Sequence, residues 1–169
     1  MTVAPPTWLI TGASSGLGKS LALEALKAGY KVIGTTRDIS KAEIAYPDFS
    51  VKGGIWLGLD PAQKDAYDKF AQFSQEYNVD VLVNNAGYAF IGGVEDTRSV
   101  TSWPYYQAKS CLTIPMFSET EVRDQMEVNF YGPLRAVRAC LPVMRARGSG
   151  HIILISSGAG YVYFLFFFF

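Results

Sequence analysis

The feature that most constrains this chain is a glycine-rich turn between an apolar strand and a helix: Thr11-Gly-Ala-Ser-Ser-Gly-Leu-Gly18. Before it, Thr7-Trp-Leu-Ile-Thr11 reads as a short buried strand. After it, Leu17, Leu21, Ala25 and Ala28 recur at helical spacing, and Gly29 supplies a stop. A strand that feeds a helix through a glycine turn is the local plan of a phosphate-binding βα unit. The chemistry lies in the backbone. Glycine lets the chain turn tightly and approach a diphosphate, and the free amides and dipole at the helix start favour the anion. Ser14 and Ser15 add hydroxyl donors.

The rest of the chain repeats the alternation. Strands are expected at Lys31-Val-Ile-Gly-Thr-Thr36, Gly54-Ile-Trp-Leu-Gly-Leu59, Val79-Asp-Val-Leu-Val83 and His151-Ile-Ile-Leu-Ile-Ser156. A helix beginning at Pro61 would present Ala66, Phe70, Phe73 and Tyr77 on one face. Residues 118–144 read as one long helix capped by Ser118 or Thr120 and locally perturbed by Pro133 and Pro142. Uncharged strands alternating with amphipathic helices imply an α/β fold. The sheet should be a doubly wound parallel one, Rossmann-like but incomplete, with about five strands. No internal repeat and no second domain is expected.

Charge and cysteine usage exclude several classes. Fifteen basic residues balance fifteen acidic ones, so no electrostatic footprint for nucleic acid exists. Cys111 and Cys140 have neither paired nor metal-type spacing, and residues 1–6 do not form a secretory leader. A reduced, cytoplasmic location is the expectation. His151 is the single histidine and reads as a surface residue, so no metal site is expected.

Three further motifs follow the glycine turn: Asn84-Asn-Ala-Gly87 after the fourth strand, Val128-Asn-Phe-Tyr-Gly132 in the long helix, and Ile155-Ser-Ser-Gly158 after the fifth strand. With the Gly-x-x-x-Gly-x-Gly spacing, the set resembles the short-chain dehydrogenase/reductase family in order and approximate spacing, over residues 7–160. The resemblance implies an oxidoreductase that transfers hydride between a nicotinamide dinucleotide and a carbonyl or secondary alcohol. It assigns Gly12, Ser14, Ser15, Gly16, Leu17 and Gly18 to the cofactor diphosphate and Asp60 to the adenine amino group. Asn84, Ala86 and Gly87 would line the cofactor and steady the central strand. Ser157 would hydrogen-bond the substrate oxygen, and Asn129 would hold a water of the proton relay. In the family alignment Thr36 falls where an NAD-selecting acid would be, and Arg37 follows it. A guanidinium suits a 2′-phosphate, so NADP(H) is expected over NAD(H). A solvated Arg37 paired with Asp38 is the plainer alternative.

The chain also departs from the family. The resemblance calls for a Tyr-x-x-x-Lys motif about thirteen residues after Ser157, where the lysine lowers the tyrosine pKa for proton transfer. No such motif follows Ser157. The chain therefore reads as the N-terminal cofactor-binding portion, inactive as given. Tyr105-Tyr-Gln-Ala-Lys109 has the right letters but precedes both Asn129 and Ser157. It lies in residues 98–117, which carry no clear periodicity and read as an insertion. Residues 161–169 form an aromatic tail unlike the family, and both segments read as translated noncoding sequence, with a genuine loop insertion and a genuine tail as the alternative. An uncovered sheet edge, exposed apolar faces and poor solubility are expected. Two other readings stand beside the main one: a cofactor-binding protein without turnover, and a C-terminal membrane anchor over the uncharged residues 152–169. A small-molecule carbonyl or alcohol is the expected partner. Self-association is a further option, because family members often pair through the long helix.

Overall fold

The computed structural model describes residues 4–89 and 118–157. Its strands are β1 (Thr7–Ile10), β2 (Lys31–Thr36), β3 (Ile55–Gly58), β4 (Val81–Asn84) and β5 (His151–Leu154). They form one parallel sheet in the order β3-β2-β1-β4-β5, with Leu9 level with Ile33 on one side and with Leu82 on the other. The helices are α1 (Gly16–Lys27), α2 (Ile39–Ala45), α3 (Asp48–Val51), α4 (Ala66–Glu76), α5 (Glu119–Met126) and α6 (Gly132–Arg147). The expected α/β, doubly wound, five-stranded plan is what the chain adopts.

Strand alternation divides the core between the two faces of the sheet. Leu9, Ile33 and Leu82 face α4 and α6, where Phe70, Val79, Ala136, Ala139, Cys140 and Met144 close the cluster. Ile10, Val32, Val81 and Val83 face the other way, against Ala22 and Ala25 of α1 and the aromatic corner of Tyr46, Phe49 and Trp56. Phe49 and Trp56 pack with ring centroids 4.1 Å apart.

Residues 119–147 are helical without interruption, so the expected long helix forms, with the expected local perturbation just before Pro133. A capping box at Ser118 and Glu121 starts α5, a π-helical turn occupies Glu127–Tyr131, and α6 then runs to a left-handed Gly148. Pro133 explains the π-helical turn: it has no amide to donate, and its ring displaces the carbonyl four residues back, so the turn before it widens. Pro142 is carried inside α6. Pro61 does not open α4, which begins at Ala66. The Asp60 carboxylate accepts from the Ala62 amide at 3.0 Å and the Asp60 carbonyl from Gln63 at 3.1 Å, so a side-chain-closed turn takes the place of the first helical turn. In α1 the buried face is Gly18, Ala22 and Ala25, and Leu17 stands 54% exposed. Small residues bring the helix close to the sheet, and the leucine is left at the mouth of the βα turn.

β5 ends at Leu154, two residues short of expectation, and is a sheet edge among the described residues. Leu154 is 61% exposed there. Residues 152–154 are thus spent on pairing with β4. Among the described residues no helix is long and apolar enough to cross a membrane. Residues 98–117, with Tyr105 and Lys109, and residues 161–169 lie outside the described residues.

Cys140 is fully buried on α6, and burial pushes its thiol up to about 11. The raised folded-state value has a definite sign. The thiol's contribution to stability is intact below its ordinary value of 9.0 and falls as pH rises from there toward about 11. Cys140 should resist an aromatic disulfide reagent at pH 8 and react fully once the chain is unfolded in guanidinium. Prompt labelling of Cys140 in the folded chain, located by mass spectrometry, would contradict this burial.

Candidate functional site

All five strands end on the same side, and the chain reverses direction across the sheet between β1 and β4. Helix connections diverge at such a switch point and leave a crevice beyond the strand ends. Here the crevice is a cleft of about 940 Å³. One wall is the glycine turn with Gly12, Ser14, Ser15, Gly16 and Leu17; the second runs from Thr35 through Arg37 and Asp38 to Lys41; the third holds Asp60, Asn85, Ala86, Gly87 and Tyr88.

The glycine turn is tied to the end of β4 by a pair of residues. The Thr11 hydroxyl accepts from the amides of Asn85 and Ala86, each at 2.9 Å. In return the Asn85 side-chain amide donates to the carbonyls of Thr11 at 3.0 Å and Gly12 at 3.3 Å. Two glycines make this approach geometrically available. Gly12 has φ +65°, and a Cβ there would lie 3.0 Å from the Ala86 Cα. A Cβ on Gly18 would overlap the Asn85 side-chain amide and the Gly12 carbonyl oxygen. Ser15 is the N-cap of α1 but its side chain makes no capping hydrogen bond, so the first-turn amides keep their donors for an anion.

The asparagine pair divides its work differently from the expectation. Asn84 is buried at the end of β4, with its amide 3.4 Å from the Pro133 carbonyl, and does not line the cleft. Asn85 lines it and carries the tie to Thr11. Sequence reasoning passed over both Thr11 and Asn85, although the strand period of two was the available clue: Leu82 and Asn84 share one face, Val83 and Asn85 the other.

Asn129 lies in the π-helical turn, and both ends of its side chain hold the backbone of Tyr88. Its oxygen accepts from the Tyr88 amide at 3.1 Å and its nitrogen donates to the Tyr88 carbonyl at 2.7 Å. The third wall of the cleft is thereby fastened to the π-helical turn. Burial raises the Tyr88 hydroxyl above its usual range, the Asp124 charge adds to this, and the Arg37 charge opposes it. Ser157 is exposed three residues beyond β5, on the same side of the sheet as the cleft but not on its lining.

At the end of β2, Thr36 is nearly buried, and its hydroxyl bonds the Asp38 backbone. Asp38 does not pair with Arg37. It caps α2, accepting from the Lys41 amide at 3.0 Å, and it also meets the Lys41 ammonium at 3.3 Å. Those contacts hold the Asp38 carboxyl below the usual carboxylate range, the backbone bond from Lys41 first among the causes. Arg37 is exposed on the cleft wall, without an ion pair among the described residues. No group of metal-ligating side chains occurs among the described residues.

This arrangement meets its counterparts in known proteins. The family model described as short chain dehydrogenase matches residues 6–168, and so runs through residues 98–117 and on through the aromatic tail beyond residue 160. The oxidoreductase claN of Passalora fulva is 44% identical over 152 residues, covering 89% of this chain and 61% of that protein. A short-chain dehydrogenase from Streptomyces avermitilis superposes with a TM-score of 0.76 at 36% identity, over 97% of this chain and 53% of the other. A metagenomic short-chain oxidoreductase solved in complex with NADP does so with a TM-score of 0.70 at 30% identity, over 93% and 63%. The chain spans about half to three fifths of the length of the curated relatives it matches. Family match, sheet order and glycine turn agree: this chain belongs to the short-chain dehydrogenase family.

Proposed function

We propose that this chain holds NADP(H) for an oxidoreductase that interconverts a carbonyl and a secondary alcohol. The observation that carries the reading is Arg37: a guanidinium with no ion pair among the described residues, on the wall of a cleft floored by the glycine turn. The cradle suits a dinucleotide on its own geometry, because the positions where a Cβ would collide, Gly12 and Gly18, are those that let backbone approach backbone beside the α1 amides. The similarity to an oxidoreductase solved with NADP supports the same choice.

In this reading residues 12–18 hold the diphosphate, Asp60 the adenine, and Ala86 and Gly87 the cofactor's flank. Arg37 takes the 2′-phosphate. Leu17 covers the bound dinucleotide, which accounts for an apolar side chain left exposed on the first turn of α1. The nicotinamide supplies the hydride when bound. Ser157 orients the substrate oxygen. Asn129 fastens the Tyr88 wall, because both ends of its side chain are spent on that backbone. Cofactor binding and substrate orientation are the roles assigned to these residues.

The test is a titration with NADPH and NADH followed by nicotinamide fluorescence. NADPH should bind more tightly, and Arg37→Ala should weaken NADPH by about 10- to 100-fold, as loss of a charge-assisted bond does, with little change for NADH. Equal affinity for the two cofactors in the unaltered chain would defeat the reading.

A further inference from the structure

The wall that carries Arg37 also carries a carboxylate. Asp38 is the next residue, lines the same cleft, and stays ionised because the Lys41 amide and ammonium both face its oxygens. A bare carboxylate beside the adenosine ribose works against NADP(H) in two ways: it repels a 2′-phosphate, and it offers acceptors to an unphosphorylated ribose. Lys41 lines the cleft as well, with its side chain 85% exposed, yet its ammonium sits 3.3 Å from Asp38. Exposed ion pairs one helical turn apart add little to stability, so stability alone gives this one no strong reason to exist.

We propose that Lys41 is a specificity-determining residue that acts by neutralising Asp38, so that the cleft wall presents the Arg37 charge without a competing anion. The proposal rests on the NADP(H) reading above. Thr36 adds no charge at this end of β2, and Lys19, whose ammonium bonds the Ala45 carbonyl and lies over the Tyr46 ring, is not among the residues that line the cleft. The local balance is therefore set by Arg37, Asp38 and Lys41. With Lys41 removed, the wall carries one cation and one anion side by side, and its preference for a 2′-phosphate falls.

The experiment is a double-variant cycle on the whole chain, with NADPH and NADH binding read by nicotinamide fluorescence. Lys41→Gln should weaken NADPH by about fivefold, the scale of one exposed charge pair, and leave NADH unchanged or slightly tighter. Lys41→Arg should retain the unaltered ratio. The combination of Asp38→Asn with Lys41→Gln should restore NADPH binding to within about twofold, since asparagine still caps α2 while the anion is gone. If the double variant stays as weak as Lys41→Gln, Lys41 meets the phosphate directly and the neutralisation proposal is overturned. An NADPH preference that depends on Arg37 but is indifferent to Lys41 overturns it too, and leaves the parent reading standing. No NADPH preference in the unaltered chain removes both.

Discussion

Gly18→Ala should abolish saturable NADPH binding and cost about 2–4 kcal/mol of folding stability, the sum of a small overpacking penalty and the loss of about one or two hydrogen bonds. The added Cβ would overlap both the Asn85 side-chain amide and the Gly12 carbonyl oxygen. The first can swing aside, but only by giving up its bonds to the carbonyls of Thr11 and Gly12. The second is backbone and can move only if the turn moves. Either response separates the glycine turn from the end of β4, and these two segments form facing walls of the cleft. Urea denaturation gives the stability change and fluorescence titration the binding change. A variant within about 0.5 kcal/mol of the parent that still binds NADPH would show that the turn tolerates a side chain there, and the close-approach account would be wrong.

Phe70→Ala should cost about 3–5 kcal/mol, because a fully buried aromatic is replaced by a cavity that its neighbours cannot close. Phe70 projects from α4 into the cluster of Leu9, Leu82, Ala136 and Cys140, where sheet, α4 and α6 meet. Three of the four are strand or small-residue positions whose backbones are fixed by sheet pairing or helix contact, so collapse into the void is limited. A marginally stable domain loses a third or more of its stability by such a change. Tyr67, on the same helix, is partly exposed beside Arg138 and serves as the comparison. Tyr67→Ala should change stability by less than about 1 kcal/mol. Equal losses for the two variants in a thermal or urea melt would mean that α4 is not packed as the structure describes it.

Local pattern made much of this protein legible without coordinates. Residues 12–18 announce a βα phosphate turn because glycine's conformational range and a helix start are local properties. The five strands were legible because a sheet covered on both faces demands uncharged runs such as Val81-Leu-Val83. Short elements escaped. α2 and α3 have 7 and 4 residues, too few for a helical period to register.

What the sequence determined alone is the βα unit, the parallel sheet and the family to which they belong, since each rests on neighbours within one or two turns of chain. Tertiary structure decided the rest, wherever the partner is remote. Asn85, not Asn84, meets the glycine turn because β4 lies parallel to β1 in one register and turns alternate side chains to opposite faces. Asn129 fastens Tyr88 because the widened turn before Pro133 sets it against the loop after β4. Asp38 turns to Lys41 and leaves Arg37 to the cleft because a helix start offers a carboxylate a backbone amide and an ammonium in one place. Contacts between segments far apart in the chain depend on register and helix placement, and only packing sets those.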